Sequence, residues 1–214
     1  MGALRKKNLL FNGRPHELKI TAQGGVGTFE ENNFLLNYYN VDSVGWGTPF
    51  LLVPEATNVD KKTLDLLRNA KEDDLYLSNT SPLGVPFNSL RGNTKDLQKT
   101  EKAAKGKPGS PCPKKFLISD TEFGEKPICT ASIKYQSLKI EQLNSSLLSD
   151  EKKKKEYNKI IDKTCLCNGL AYPVLQINNA VSKIDGFGTA VCPGPNMAYF
   201  SSIVSLSEMV NHIY

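Results

Sequence analysis

The sequence of 214 residues has only two histidines and one tryptophan, and it contains no long apolar run. A membrane-spanning helix needs roughly 18 or more consecutive apolar residues, and no segment approaches that length. The amino-terminal stretch MGALRKKNLLFNGRP also lacks the apolar core of a secretory signal peptide. These absences predict that no membrane is involved, and they favour a cytoplasmic protein.

An interleaved pattern of aromatic residues is missing from the basic segments. The net charge is +5, from 27 basic and 22 acidic residues, and the basic excess lies within 95–115 and 151–163. Proteins that bind single-stranded nucleic acid combine basic grooves with aromatic stacking platforms. Arginine, the usual partner of phosphates and bases, is also scarce here. We therefore expect a solvated basic surface and no nucleic acid partner.

The first part of the chain alternates strand and helix patterns. Residues 17–23 (ELKITAQ) form a predicted buried strand, and Thr28 with Glu31 forms a capping box that begins a helix. A second strand is predicted over 41–46, and Asp60 caps a second helix. Strands that alternate with helices in this way predict an α/β fold with a parallel sheet.

A glycine-containing break follows each of these two strands. Gly24 and Gly25 end the first strand, and Gly47 with Thr48 follows the second. Adjacent parallel strands end at the same edge of a sheet, where ligands bind. Glycine lets backbone N–H groups approach an anion, the helix that follows Gly25 adds its amino end, and the Thr48 hydroxyl is a further donor. Each break alone is typical of a tight turn, whereas the pair predicts a phosphate site.

Three blocks of sequence resemble the nitronate monooxygenase (2-nitropropane dioxygenase) family of flavoproteins. They are AQGGVGT, VDSVGWGTPFLLVPEA and LSNTSPLGVPFNSLRG, and the resemblance extends over residues 18–92. It implies the last two strands of an FMN-binding (β/α)8 barrel, in an oxidoreductase whose flavin accepts electrons from a nitronate or a similar carbanion and is reoxidised by oxygen. Gly24, Gly25, Gly47 and Thr48 match the family's phosphate-binding positions, and Gln23 lies next to them. Gly45 departs from the family, which often has glutamine there.

The resemblance covers only the end of such a barrel, since a complete one needs eight strands and about 250 residues. Residues 1–94 are thus predicted to be the last βα units of an incomplete barrel, and 95–214 a loop-rich, cysteine-containing helical extension. The catalytic histidine and the flavin ring contacts are expected on an upstream barrel half or a partner chain, so this chain alone is not expected to be active. Both histidines, His16 and His212, are expected at the surface. A charged helix is predicted over about 150–162, and Ser205 with Glu208 forms a second capping box that begins a final helix. Tyr214 ends the chain inside this final helix, which indicates a shortened sequence.

All five cysteines lie in the second half of the chain. In the cytoplasm they are expected to be thiols or metal ligands rather than disulfides. The Cys-x-Cys pair can contribute two thiolates to one zinc ion or iron–sulfur cluster, and inert or redox-active thiols are the alternative. Cys129 is predicted to be packed in a core. A non-catalytic metal module that docks on a partner chain is therefore a second hypothesis, with these predicted ligands: Cys112, Cys165, Cys167 and Cys192.

Overall fold

The computed structural model describes residues 17–183 and 186–214, so His16 lies outside the described residues. It combines helices with two small sheets, as the predicted α/β class requires. The strands are β1 (Thr21–Gln23), β2 (Ser43–Gly45), β3 (Leu75–Ser78) and β4 (Phe87–Leu90). The helices are α1 (Phe29–Asn37), α2 (Lys61–Asn69), α3 (Thr94–Ala104), α4 (Ile133–Asn144), α5 (Asp150–Asp162), α6 (Leu166–Ile177) and α7 (Leu206–Ile213).

The first sheet pairs β1 with β2 in parallel, so that the last residue of β1, Gln23, lies opposite Gly45. The predicted strand over 17–23 is shorter in the structure, and the prediction that it is buried is wrong. Leu18 is 85% exposed and Ile20 63% exposed. The physical reason is that β1 pairs only with β2 among the described residues, which leaves its other edge uncovered. The second sheet, β3 with β4, is antiparallel.

Helix starts follow the predicted capping chemistry. The Thr28 hydroxyl accepts the Glu31 N–H at 3.2 Å, and a Glu31 carboxylate oxygen accepts the Thr28 N–H at 3.1 Å. Asp60 caps α2 by accepting the Thr63 N–H at 3.0 Å. A second capping box, formed by Ser205 and Glu208, begins α7. These predictions are confirmed. Among the described residues, no helix has both the length and the apolar character that crossing a bilayer requires.

The hydrophobic core contains residues from both halves of the chain. One buried cluster joins Leu52, Leu67 and Leu90 to Val191 and Met197. A second cluster packs the α7 residues Met209 and Ile213 against Val53. The boundary predicted between residues 94 and 95 stays a prediction, but both clusters cross it.

A half-buried acid, Asp60, also connects distant parts of the chain. The Thr189 hydroxyl donates to the Asp60 carboxylate at 2.5 Å, and the Thr63 hydroxyl donates to it at 2.8 Å. Burial of the carboxyl raises its pKa, but the hydrogen bonds from Thr189 and Thr63 outweigh this and hold the pKa below 3.8. Since the folded pKa is depressed, the stabilisation by Asp60 is fully present above pH 3.8 and is lost as the pH falls through the folded value.

Thr189→Val is therefore expected to lower the free energy of unfolding by about 1–2 kcal/mol near neutral pH, because it removes a hydrogen bond to a charged group. This loss should shrink below pH 3.8, where Asp60 becomes protonated. Urea unfolding across this pH range measures it. Thr57→Val is the matched control, because the Thr57 hydroxyl donates to the uncharged Phe50 carbonyl at 2.8 Å. A pH-independent loss in Thr189→Val would contradict the role given to Asp60.

Candidate phosphate-binding site

The two glycine-containing breaks meet at one cavity, as predicted for neighbouring parallel strands. Gln23 pairs with Gly45, so the loops that follow leave the sheet at the same end. They line a cavity of about 180 Å³, which we call the strand-end cavity, formed by residues 23–26, residues 45–48 and Asn196. The structure thereby brings together every residue predicted to bind the cofactor: Gln23, Gly24, Gly25, Gly47 and Thr48.

The glycines present free backbone donors to this cavity. Gly24 (φ +95°) and Gly25 (φ +74°) adopt left-handed conformations, in which glycine alone is free of strain. No hydrogen bond within residues 17–183 and 186–214 uses the backbone N–H of Gly24, Gly25 or Gly47. A Cβ atom built on any of these three glycines would meet nothing within 4 Å. An anion can therefore approach these amides directly.

A side chain of the protein itself binds the N–H groups at the amino end of α1. A Glu31 carboxylate oxygen accepts the N–H groups of Gly27 at 2.8 Å and Thr28 at 3.1 Å. A carboxylate of the chain itself thus satisfies the N–H groups of the N-cap residue and of the residue before it. No residue of α1 lines the strand-end cavity, so the contribution of the helix end stays a prediction, and the amides of the two glycine loops are the backbone groups at the cavity.

A third wall of the cavity comes from a distant part of the chain that sequence analysis did not assign to the site. The Asn196 side chain is 4% exposed, and its Nδ2 donates to the Val26 carbonyl at 3.0 Å. Its Oδ1 is buried and has no hydrogen-bond partner. The Gly194 N–H donates to the Thr48 hydroxyl at 2.9 Å, which leaves the hydroxyl hydrogen free for a ligand. The sequence feature that marks this wall is the proline- and glycine-rich segment CPGPN, residues 192–196.

Gln23 explains the glycine at position 45. A Cβ atom on Gly45 would lie 2.7 Å from the Gln23 Cγ, so the Gln23 side chain occupies the space that a residue 45 side chain would need. In the family that the sequence resembles, a glutamine often stands at position 45.

Two aromatic rings support the loop beside the cavity. The Trp46 indole N–H donates to the Asn32 Oδ1 at 3.2 Å, and the ring lies edge-on to His212. His212 is exposed, as predicted, but its Nε2 lies 3.2 Å from the Gly27 carbonyl. Helix α7 therefore contacts the loop that follows β1.

No protein-family model matches this chain, and no curated protein is significantly similar to it. The proposal that follows therefore depends on the geometry of the site and on the resemblance described above.

The cysteines form a different arrangement from the predicted one. Cys112 and Cys129 are buried together against Ala131, and Cys165 is also buried. Cys167 is half-buried, whereas Cys192, a predicted ligand, is exposed and follows Val191 of the central core. Among the described residues, no group of three or more His, Cys, Asp or Glu side chains is arranged to hold a metal ion. The predicted ligand set is thus not assembled in this structure.

Proposed function

We propose that this chain is the C-terminal part of a cytoplasmic FMN-dependent oxidoreductase resembling nitronate monooxygenase, and that it binds the flavin phosphate. The observation that carries the proposal is the parallel pairing of Gln23 with Gly45, which opens both glycine loops into one cavity. The cavity of about 180 Å³ is smaller than the roughly 300–1,000 Å³ of whole-ligand pockets. It therefore suits the phosphate end of a nucleotide better than an entire flavin.

The lining favours a phosphate over other anions or an apolar group. Its donors are backbone amides and the Thr48 hydroxyl, the groups that hold nucleotide phosphates at glycine-rich strand ends. Several donors around one cavity match a phosphate, which offers several acceptor oxygens. Bound FMN would supply the redox chemistry, and the residues of this chain would hold and orient its phosphate.

The surface around β1 supports further β/α units beside this sheet. Parallel sheets are normally covered on both faces, yet Leu18 and Ile20 are exposed here. Three exposed aromatic side chains lie in α1 or directly after it: Phe34, Tyr38 and Tyr39. They pack against one another rather than against a core. We propose that the rest of the barrel covers this surface, either as an upstream half or as a partner chain. It would also supply the walls around the flavin ring.

We expect FMN and inorganic phosphate to shift the backbone amide resonances of Gly24, Gly25 and Gly47 in NMR spectra of the full chain. Riboflavin, which lacks the phosphate, should leave them in place. NMR detects the weak binding expected when only one end of the ligand is held. Unchanged resonances with FMN, or equal shifts with riboflavin, would overturn the proposal.

A further inference from the structure

Two cysteines from separate loops pack against each other, apart from the two larger core clusters. Cys112 is 8% exposed and Cys129 is 4% exposed, and together with Ala131 they form a small buried cluster. Cys165 is also buried, but it does not belong to this cluster. We propose that Cys112 and Cys129 form a redox switch, in which a small-molecule disulfide oxidises the two thiols to an intramolecular disulfide.

Backbone hydrogen bonds join the two loops next to this pair. The Ser110 N–H donates to the Ala131 carbonyl at 2.9 Å, and the Ile133 N–H donates to the Ser110 carbonyl at 2.9 Å. A Cβ atom on Gly109 would lie 2.7 Å from the Ile133 backbone nitrogen, so the close approach of the two backbones requires glycine there. Both cysteines lie within two residues of this junction. A disulfide requires two closely placed cysteines, and the junction keeps them close.

The backbone of Cys112 adopts a conformation that serves this contact. Its φ is +56°, in the left-handed region that residues other than glycine rarely adopt. Pro111 and Pro113 fix the backbone on both sides of it. Such a conformation costs free energy and persists only where the surrounding structure imposes it, often at functional positions. Here it accompanies the packing of the Cys112 side chain against Cys129.

The segment between the two cysteines, residues 113–128, is the part of the chain that the disulfide would close. Two of its large apolar side chains lie at the surface, Phe116 at 77% and Ile118 at 39% exposure. Polar contacts attach it to α4, because the Glu122 carboxylate accepts the Tyr135 hydroxyl at 2.9 Å and the Lys139 ammonium at 2.5 Å. A covalent link would hold this segment closed and would restrict the unfolded chain, which stabilises the folded state.

The oxidation is a thiol–disulfide exchange between the cysteine pair and the small disulfide. The two protein thiols give up two electrons and two protons, and a bond forms between their sulfur atoms. The S–S bond of the small disulfide breaks, and its two halves leave as thiols. Burial raises the pKa of the Cys129 thiol to about 12, so this thiol stays protonated at neutral pH and exchanges slowly. The switch therefore responds to sustained oxidation, and no residue of the strand-end cavity takes part.

The test is to incubate the folded, reduced full chain with excess glutathione disulfide, block the remaining thiols and map the cysteine links by mass spectrometry. Trypsin cleaves after Lys114 and Lys115, so a link between Cys112 and Cys129 joins two separate peptides. We expect this link to be at least tenfold more abundant than a link between any other two cysteines. Oxidation should also raise the melting temperature by roughly 5–10 °C, and dithiothreitol should reverse the shift.

The serine variants Cys112→Ser and Cys129→Ser should show no oxidation-dependent shift of the melting temperature. Cys192→Ser, at an exposed position, is the matched control and should keep both the link and the shift. The proposal fails if the unaltered, folded chain forms no link between Cys112 and Cys129. It also fails if another pair is the main product, such as Cys165 with Cys167, or if the link forms only in urea. The mapping needs no variant, so a misfolded serine variant does not affect it.

Discussion

Gly25→Asp is expected to lower the affinity for FMN at least about tenfold, or about 1.4 kcal/mol. Gly25 has φ +74° and open space where a side chain would begin, and aspartate is among the residues that tolerate this conformation. Its carboxylate would therefore stand at the cavity and face the phosphate. Two unit charges 4 Å apart repel by about 4 kcal/mol near a protein surface, so a tenfold loss is a conservative expectation. The measurement is an NMR titration of the full chain with FMN.

The sequence contains a closely matched control for this change. Gly84 has φ +73° and equally open surroundings, but it does not line the strand-end cavity. Gly84→Asp introduces the same strain and the same charge, and should leave FMN binding unchanged. Gly25→Asn, which is nearly isosteric with Gly25→Asp but uncharged, should keep most of the affinity. Equal losses in Gly25→Asp and Gly84→Asp would show that backbone strain, not the phosphate contact, is responsible.

Leu67→Ala is expected to reduce the free energy of unfolding by about 2–5 kcal/mol, because it leaves a cavity in a packed core. Leu67 is fully buried in the cluster that joins Leu52 and Leu90 to Val191 and Met197. This cluster contains residues from both predicted parts of the chain, 1–94 and 95–214. The whole protein should therefore unfold in one transition. Urea unfolding followed by two probes measures both effects: the fluorescence of Trp46, and circular dichroism, to which the helices after residue 94 contribute most.

Both transitions should shift together in Leu67→Ala. Leu97→Ala, at an exposed position of α3, should cost less than about 1 kcal/mol and serves as the control. A shift of the fluorescence transition alone would mean that residues 1–94 and 95–214 unfold independently. The boundary predicted from the sequence would then describe two folding units.

The features that sequence predicted well depend on neighbouring residues. A few adjacent residues determine each of these features, which are the capping boxes at Thr28 and Ser205 and the helix over Asp150–Asp162. A side chain that caps a helix satisfies amides two or three residues away, so no distant contact is needed. The meeting of the two glycine loops was predictable for a related reason, since a βαβ unit leaves its strands parallel and adjacent.

The features that sequence missed depend on distant contacts. The turn-forming stretch that follows Leu75 contains a hairpin, β3 with β4, whose strands are held by each other rather than by local propensity. Asn196 joins the strand-end cavity through a hydrogen bond to Val26, 170 positions away. Cys129 is buried as predicted, but its contact with Cys112 depends on two loops that no local pattern connects.

Gly194 and Asn196 donate hydrogen bonds to the two glycine loops, which are synthesised before them. Gly194 follows Thr48 by 146 positions and Asn196 follows Val26 by 170, so the segment that contacts the loops is synthesised well after them. A nascent chain that has not yet reached Gly194 therefore carries the two loops without these contacts. The strand-end cavity therefore gains its third wall only after this segment has been synthesised.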